Sequence, residues 1–212
     1  MRDLRELHDA ILGGDHKTAT AVTREAIEAK IDAMELVSRY MVPAMDEVGR
    51  RFECDEYFVP ELLLSARAMK GALELLRPLL AAAGARSAGR VVIGTVKGDL
   101  HDIGKNIVSA MLEGGGFEVI DLGADVHPQA FVEAVKRNQP QLVCLSALLT
   151  VTMPSMRATI DALKEAGVRD SIKVLVGGAP VTPEFAREIG ADGFGENAAV
   201  AVALARRVLH PV

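Results

Sequence analysis

The sequence predicts an α/β protein in which an N-terminal four-helix bundle precedes a doubly wound, Rossmann- or flavodoxin-like domain with a five-stranded parallel sheet. Apolar residues recur at helical spacing through roughly the first 85 residues, whereas short β-branched runs alternate with helical stretches after residue 89. Between the two patterns, Ala81–Gly89 consists mostly of small residues without periodicity, which is typical of an interdomain linker. We therefore expect two domains, residues 1–88 and 89–212.

Composition limits the classes of function. The 212 residues carry 24 Lys and Arg against 29 Asp and Glu, a formal net charge of −5. That balance gives no electrostatic footprint for nucleic acid or anionic lipid, and no apolar run approaches the roughly 18 residues of a membrane span. Cys54 and Cys144 form no Cys-x-x-Cys pair, so neither a disulfide framework nor a zinc cage is expected. We expect a cytoplasmic protein with no nucleic-acid or membrane partner.

The first domain is predicted to contain four amphipathic helices, the last running from about Glu61 to Leu80. Pro60 stands near the start of that helix, where a missing amide hydrogen costs little. Apolar residues at helical spacing mark the four segments: Leu4, Leu7 and Ile11; Ala19, Val22, Ala26 and Ile27; Met34, Val37, Met41, Met45 and Val48; and Leu62, Leu63, Ala66, Met69, Leu73 and Leu76.

The second domain is predicted to contain five parallel strands. Right-handed crossovers between them give an open doubly wound sheet, for which we expect the flavodoxin-like order 2-1-3-4-5. Ligands in such folds bind beyond the carboxyl ends of the strands, so the loops at that edge are where chemistry is expected. The predicted strands are Arg90–Thr95, Glu118–Asp121, Gln141–Ser146, Ile172–Val176 and a weaker Gly190–Phe194.

The loop after the first predicted strand contains the pattern Asp99-x-His101-x-x-Gly104. It matches neither the dinucleotide-binding fingerprint nor a P-loop. A histidine in such a loop can place one ring nitrogen on a metal while the other donates to a carboxylate, and Asp99 is the candidate carboxylate. The alternative is that His101 is merely exposed and that Asp99 caps the following helix.

A second Asp-x-His sequence, Asp125-Val126-His127, also follows a predicted strand. Pro128 comes directly after it and the glycine is missing, so we interpret it as a turn and helix entry. The remaining histidines cannot complete a conventional metal cage, because no His-x-x-x-His is present. A metal bound by His101 would therefore take its other ligands from a cofactor.

Two further motifs follow the third and fourth predicted strands. Ser146, Thr150 and Thr152 place three hydroxyls near the same edge, where they can donate to a polar cofactor group or extend an Asp–His relay. Gly177 and Gly178 lack a Cβ and leave room for a bulky ligand to approach the backbone. An ordinary strand-end turn is the alternative at both places.

These residues give the chain a family resemblance. It resembles the corrinoid proteins of cobalamin-dependent methyltransferase systems and the cobalamin-binding modules of methionine synthase. The three-part signature is Asp99-x-His101-x-x-Gly104, Ser146-x-Leu148 and Gly177-Gly178. The helical half is similar to the four-helix cap of these carriers through Val42-Pro-Ala-Met-Asp-Glu-Val-Gly49 and Tyr57-Phe-Val-Pro-Glu-Leu-Leu63. One departure is visible, because this chain has His127 where the family often has proline.

The resemblance implies cobalamin as the cofactor, as methylcobalamin or a Co(I) corrinoid, bound by residues 89–212 beneath a helical cap at 1–88. It implies that His101 is the lower cobalt ligand and replaces the cofactor's own base, with Asp99 polarising it and Thr152 joining the relay. The remaining implied cofactor contacts fall into two groups, Asp102, Ile103, Gly104, Ser146, Leu148, Thr150, Gly177 and Gly178 on the sheet domain, and Phe58, Leu62 and Met69 on the cap.

The resemblance further implies a methyl carrier that is not a complete enzyme by itself. A substrate-specific methyltransferase would load the methyl group, and a second methyltransferase would pass it to tetrahydrofolate or coenzyme M. A reductive activase is an expected third partner. Two other classes stay open: a cobalamin-dependent sensor or regulator, for which no basic helix-turn-helix segment is visible, and the cobalamin subunit of a mutase, which normally lacks this cap.

Overall fold

A computed structural model describes residues 3–83 and 88–209 of the chain. They divide into two compact units, one made of Met1–Ser87 with Ala110–Gly116 and the other of Ala88–Ser109 with Phe117–Val212. Most of the predicted linker, residues 84–87, lies outside the described residues.

The first unit is helical, as the sequence predicts. The helix that begins at Ala33 contains one π-helical turn, Val37–Met41, in which the Val42 amide donates to the Val37 carbonyl. Pro43 follows directly, and because proline has no amide hydrogen and crowds the carbonyl four residues earlier, the wider turn accommodates it. The helices are α1 (Arg5–Leu12), α2 (His16–Glu28), α3 (Ala33–Leu36), α4 (Val42–Glu53) and α5 (Val59–Ala82).

Since α3, the π-helical turn and α4 run on without a break, these segments form four helical rods, which confirms the four predicted helices. Their apolar stripes are buried: Leu7, Ile11, Val22, Leu36, Met41, Val48, Leu62, Met69 and Leu76 are almost fully removed from solvent. The core of this unit is therefore aliphatic, with methionine filling gaps between the rods.

The second unit contains five parallel strands in the order β2-β1-β3-β4-β5, which confirms the predicted order. Helices connect the strands as right-handed crossovers require. The strands are β1 (Arg90–Thr95), β2 (Glu118–Asp121), β3 (Leu142–Ser146), β4 (Lys173–Gly177) and β5 (Gly193–Gly195). The helices that follow its strands are α6 (Ile103–Gly114), α7 (Pro128–Asn138), α8 (Pro154–Glu165), α9 (Pro183–Glu188) and α10 (Ala198–Leu209), with a 3-10 turn at Arg169–Ser171. The last residues of α6, from Ala110 on, belong to the first unit.

The central strands are buried on both faces, as expected for a parallel sheet covered by helices. Val92, Val143 and Val174 are fully buried and pack in one cluster with Phe131 of α7 and Ile160 of α8. This core fixes the sheet rigidly and so fixes the positions at which its loops begin.

Candidate functional site

Strand register brings the three sequence motifs side by side. Thr95 at the end of β1 is paired with Ser146 at the end of β3, and Ser146 is paired with Gly177 at the end of β4. The loops that follow these residues therefore leave the sheet at one edge. The sequence analysis predicted this juxtaposition from the strand order alone.

The first loop holds Asp99 and His101 in direct contact. His101 Nδ1 lies 2.7 Å from Asp99 Oδ1, and the His101 backbone amide donates to the same oxygen over 3.0 Å. The Asp99 side chain is fully buried, whereas the His101 side chain is 49% exposed. The carboxylate accepts the Nδ1 hydrogen, so Nε2 carries the free lone pair on the exposed ring.

The second loop binds the other oxygen of the same carboxylate. Asp99 Oδ2 accepts the Leu148 amide at 2.8 Å, the Leu149 amide at 3.3 Å and the Thr152 hydroxyl at 2.7 Å. Thr152 is itself buried. The predicted Asp–His–hydroxyl relay is thus assembled, with Thr152 as the hydroxyl, and Asp99 does not serve as a simple helix cap.

The hydrogen bonds keep the Asp99 carboxyl ionised. Burial raises the pKa of the Asp99 carboxyl, but the bonds from Thr152, from the Leu148 amide and from His101 together outweigh burial and lower the pKa well below its usual range. The site therefore holds a negative charge beside His101 at neutral pH. Such a charge fixes the ring tautomer and makes its free nitrogen a stronger electron-pair donor.

Two residues that the sequence analysis gave no part in the site anchor the loop that carries His101. The buried Thr95 donates its hydroxyl to the His101 carbonyl over 2.9 Å. Asp125, in the loop after β2, accepts the Gly98 amide at 2.7 Å on its side chain and donates its own amide to the Asp99 carbonyl at 2.9 Å. Neither contact has a sequence signal, because each depends on two loops meeting.

Apolar side chains are exposed around the Asp99 and His101 pair. Leu100 and Ile103, on either side of His101, are 77% and 76% exposed, and Val151 is 81% exposed. Leu148 and Leu149 are also exposed, although their amides are bound to Asp99. Large apolar side chains that remain exposed together mark a surface that a ligand or partner covers.

The three glycines of the motifs have different reasons to be glycine. A Cβ on Gly178, whose φ is +127°, would lie 1.9 Å from the Ala147 carbonyl oxygen, and a Cβ on Gly177 would lie 2.8 Å from the Gly195 carbonyl oxygen. Close approach of neighbouring backbone thus already requires both. A Cβ on Gly104 would meet nothing within 4 Å, so only at Gly104 is open space kept beside the loop.

The other predicted contact residues lie in various environments. Ser146 is half-buried, and Thr150 and Asp102 are exposed. In the helical unit, Phe58 is 62% exposed, whereas Leu62 and Met69 are fully buried and present no surface to a ligand in this structure. The role of these residues as cofactor contacts stays a prediction.

Among residues 3–83 and 88–209, no group of three or more His, Cys, Asp or Glu side chains is placed to hold a metal ion. Within the same ranges, no helix combines the length and apolar character that crossing a bilayer requires.

Comparison with known proteins identifies the family of the chain. Residues 89–203 match one B12 binding domain family, and residues 3–77 match a second family of the same description. The trimethylamine corrinoid protein 1 of Methanosarcina acetivorans is 45% identical over 203 residues, which cover 95% of this chain and 94% of that protein.

Two solved structures are similar over nearly the whole chain. A cobalamin-binding protein from Desulfitobacterium hafniense superposes with a TM-score of 0.81 at 38% identity, over 98% of each chain. A chain of the methanol:cobalamin methyltransferase complex from Methanosarcina barkeri superposes with a TM-score of 0.85 at 32% identity, over 99% of this chain and 80% of that one.

Fold, edge motifs and comparisons together define a cobalamin-binding protein. The chain belongs to the B12-binding family, among the corrinoid proteins of methyltransferase systems, and its cofactor is cobalamin. The residues present fit this group, because the edge offers one exposed histidine nitrogen, open space at Gly104 and an uncovered apolar surface.

Proposed function

We propose that the chain is a methyl carrier that binds cobalamin with the cofactor's own base displaced and His101 as the lower cobalt ligand. One observation carries the proposal. Asp99 Oδ1 holds His101 Nδ1 at 2.7 Å, and the ring is half-exposed, so Nε2 is left as the free nitrogen. When bound, cobalamin supplies the cobalt centre that accepts a methyl group from one partner and gives it to another.

The chain's own residues then orient and tune the ligand. Asp99 holds the His101 ring in one tautomer and keeps a negative charge behind it, and Thr152 fixes the Asp99 carboxylate in place. If His101 leaves the metal during the cycle, Asp99 can stabilise the protonated ring that results. The Asp99, His101 and Thr152 relay would in this way couple ligand exchange to uptake of a proton.

The remaining contacts are assigned by exposure. Leu100, Ile103 and Val151 would lie against the apolar part of the cofactor, because they are the most exposed large apolar residues of the described sheet unit. Ser146, Thr150 and the space beside Gly104 would receive the nucleotide tail, with Asp102 and Leu148 next to it. Gly177 and Gly178 would contribute indirectly, by allowing the close backbone approach of neighbouring loops.

The helical unit would form the cap of the carrier, with residues 1–88 as one domain and 89–212 as the other. Phe58 is the predicted cap contact that has exposed surface available. Leu63 and Leu64, which are also exposed, are better suited to the role expected of Leu62. A cap of this kind would exclude water from the cobalt.

The partners follow from the same role. A substrate-specific methyltransferase would load the carrier, a second methyltransferase would unload it to tetrahydrofolate or coenzyme M, and a reductive activase would restore the reduced cofactor. The trimethylamine and methanol systems of the relatives favour this role over a sensor or a mutase subunit. Donor, acceptor and the isolated cobalamin-loaded chain should therefore give no sustained turnover, and turnover under those conditions would contradict the carrier role.

The test of the binding mode is spectroscopic. The chain is incubated with hydroxocobalamin, desalted and reduced to the Co(II) state, beside His101→Ala and the matched control His127→Ala. His127 lies in the second Asp-x-His sequence and is exposed, so its loss should change nothing. Wild type and the control should retain the corrinoid with nitrogen splitting in the Co(II) electron paramagnetic resonance spectrum, and labelling with 15N-histidine should alter that splitting.

The outcomes separate the two parts of the proposal. If the nitrogen splitting is lost in His101→Ala but retained in wild type and in His127→Ala, the result supports His101 as the ligand. The same spectrum in His101→Ala and wild type would refute His101 coordination, and a wild-type chain that retains no corrinoid would refute the whole proposal.

A further inference from the structure

The loop after β2 reaches across to the loop that carries Asp99. Asp125 makes the contact with its side chain and its backbone. Its Oδ1 accepts a hydrogen bond from the Gly98 amide at 2.7 Å, and its backbone amide donates to the Asp99 carbonyl at 2.9 Å. Asp125 thus binds two consecutive residues of the neighbouring turn. The interpretation of Asp125-Val126-His127 as a turn and helix entry is confirmed, since α7 begins at Pro128, but it leaves this contact unexplained.

Both residues of this contact have left-handed backbone conformations. Asp125 has a φ of +54°, and Gly98, its partner, has a φ of +85°. A residue other than glycine is uncommon in this left-handed region, although Asp and Asn tolerate it best. Such a conformation costs energy, so it persists only where the surrounding contacts determine it.

The Asp125 loop is itself held to the sheet. Val126 pairs with Val96 in an isolated bridge, and the Val126 amide donates to the Thr95 carbonyl at 2.9 Å. These contacts hold the backbone of the Asp125 loop in place, so its hydrogen bonds to Gly98 and Asp99 start from a fixed position. The Asp99 side chain is fully buried and accepts hydrogen bonds on both oxygens, so a shift of the backbone at residues 98 and 99 would pull the carboxylate away from His101 and Thr152.

We propose that Asp125 is a positioning residue, which fixes the turn at Gly98 and Asp99 so that the carboxylate faces His101 Nδ1 and His101 is held ready to coordinate cobalt. The inference rests on the proposed coordination by His101. Its direct consequence, the orientation and tautomer of the His101 ring, is a property of the chain without cofactor and is measured separately.

Two substitutions separate the role of the side chain from that of the backbone. Asp125→Asn keeps an acceptor oxygen and tolerates positive φ, whereas Asp125→Gly accepts positive φ freely but removes the acceptor. Both variants keep the backbone amide that binds the Asp99 carbonyl. A difference between them therefore reports on the hydrogen bond from Gly98.

The first readout uses 15N-histidine nuclear magnetic resonance on the chain without cofactor. The 15N shifts of the neutral His101 ring give the ratio of its two tautomers. Wild type and Asp125→Asn should both show the tautomer with hydrogen on Nδ1. Asp125→Gly should reduce the ratio about tenfold, which corresponds to about 1.4 kcal/mol, the scale of one lost hydrogen bond.

The second readout uses the cobalamin-loaded chain in the Co(II) state, in which nitrogen splitting measures the fraction with His101 on cobalt. Asp125→Gly should shift the ratio of coordinated to uncoordinated chain about tenfold toward uncoordinated. Asp125→Asn should restore the wild-type ratio. A residue that only stabilised the fold would change the melting temperature and leave both ratios unmoved.

Wild-type ratios in Asp125→Gly by both methods would overturn the positioning role. Asp125→Gly could shift the tautomer ratio while His101 does not coordinate cobalt even in wild type. That result would support Asp125 as the residue that positions the ring and would refute the proposed binding mode. If Asp125→Gly does not fold, Asp125→Ser is the second variant. Its shorter side chain should give tautomer and coordination ratios between those of Asp125→Asn and the tenfold shift. Wild-type ratios in Asp125→Ser would overturn the positioning role.

Discussion

Replacing Asp99 by asparagine tests the hydrogen-bond arrangement most directly. The carboxylate accepts the Leu148 and Leu149 amides and the Thr152 hydroxyl on one oxygen, and the backbone and side chain of His101 on the other. An asparagine has one acceptor oxygen, and its NH2 group can only donate. With that oxygen toward Leu148, the NH2 faces the His101 amide, and two donors meet.

The cost can be worked from these contacts. The part-buried His101 amide, left without an acceptor, costs about 1–3 kcal/mol, and bonds that lose a charged acceptor fall from about 1.5–3 kcal/mol toward about 1 kcal/mol each. Asp99→Asn should therefore reduce the free energy of unfolding by about 3–5 kcal/mol at neutral pH. That is a large share of the roughly 5–15 kcal/mol available to a folded domain.

The effect should depend on pH in one direction. The pKa of Asp99 is lowered in the folded chain relative to the unfolded chain, in which it lies near about 3.9. The unfolded state therefore binds more protons as acid is added, and the stabilisation from the Asp99 charge is present above about pH 4 and is lost as the pH falls below it. The difference between wild type and Asp99→Asn should shrink over the same range.

Urea unfolding across this pH range measures both quantities. Asp102→Asn is the matched control, since Asp102 is an exposed carboxyl in the same loop and its substitution should stay within about 0.5 kcal/mol of wild type. If Asp99→Asn unfolds within 1 kcal/mol of wild type at neutral pH, or if the difference fails to shrink in acid, the hydrogen-bond reasoning is wrong.

Three further substitutions separate packing from cofactor binding. Gly178→Ala would place a Cβ 1.9 Å from the Ala147 carbonyl oxygen and should cost about 3 kcal/mol or more of unfolding free energy, measured by urea titration. Gly104→Ala meets no atom within 4 Å, so it should keep or raise the melting temperature while weakening corrinoid retention after desalting. Thr95→Val leaves the His101 carbonyl without its donor and should cost about 1–2 kcal/mol by the same titration, with a smaller coordinated fraction in the Co(II) spectrum.

Strand bounds were predictable where the residues have a strong strand preference and the strand also pairs in the folded sheet. Arg90–Thr95 and Glu118–Asp121 match the predicted bounds, because β-branched runs are bounded there by turn residues. β5 was predicted weakly at Gly190–Phe194 and lies at Gly193–Gly195. Two of its three residues are glycines, which have little strand preference, and pairing of Phe194 with Val176 in β4 fixes the strand instead.

The π-helical turn at Val37–Met41 was not predictable from periodicity, because the apolar residues of this helix recur every three or four positions, as they would in an ordinary α-helix. In the site, too, some contacts could be expected from the sequence and others could not. The expected strand order placed Thr152 at the same edge as Asp99, and the family resemblance implied its part in the relay. The anchors at Thr95 and Asp125 depend on backbone groups that meet only in the folded chain.

Backbone strain beside Asp99 is located at Asp125. Asp125 is a residue other than glycine with a positive φ, whereas its partner Gly98 adopts positive φ without a steric cost. Asp125→Gly would relieve the strain of a non-glycine residue, worth about 1 kcal/mol, and lose one exposed hydrogen bond of about the same size. The stability of the chain should therefore hardly change, while the orientation of His101 does. Unchanged stability together with an altered His101 ring would show that the Asp125 contact acts on the geometry of the site and not on the stability of the fold.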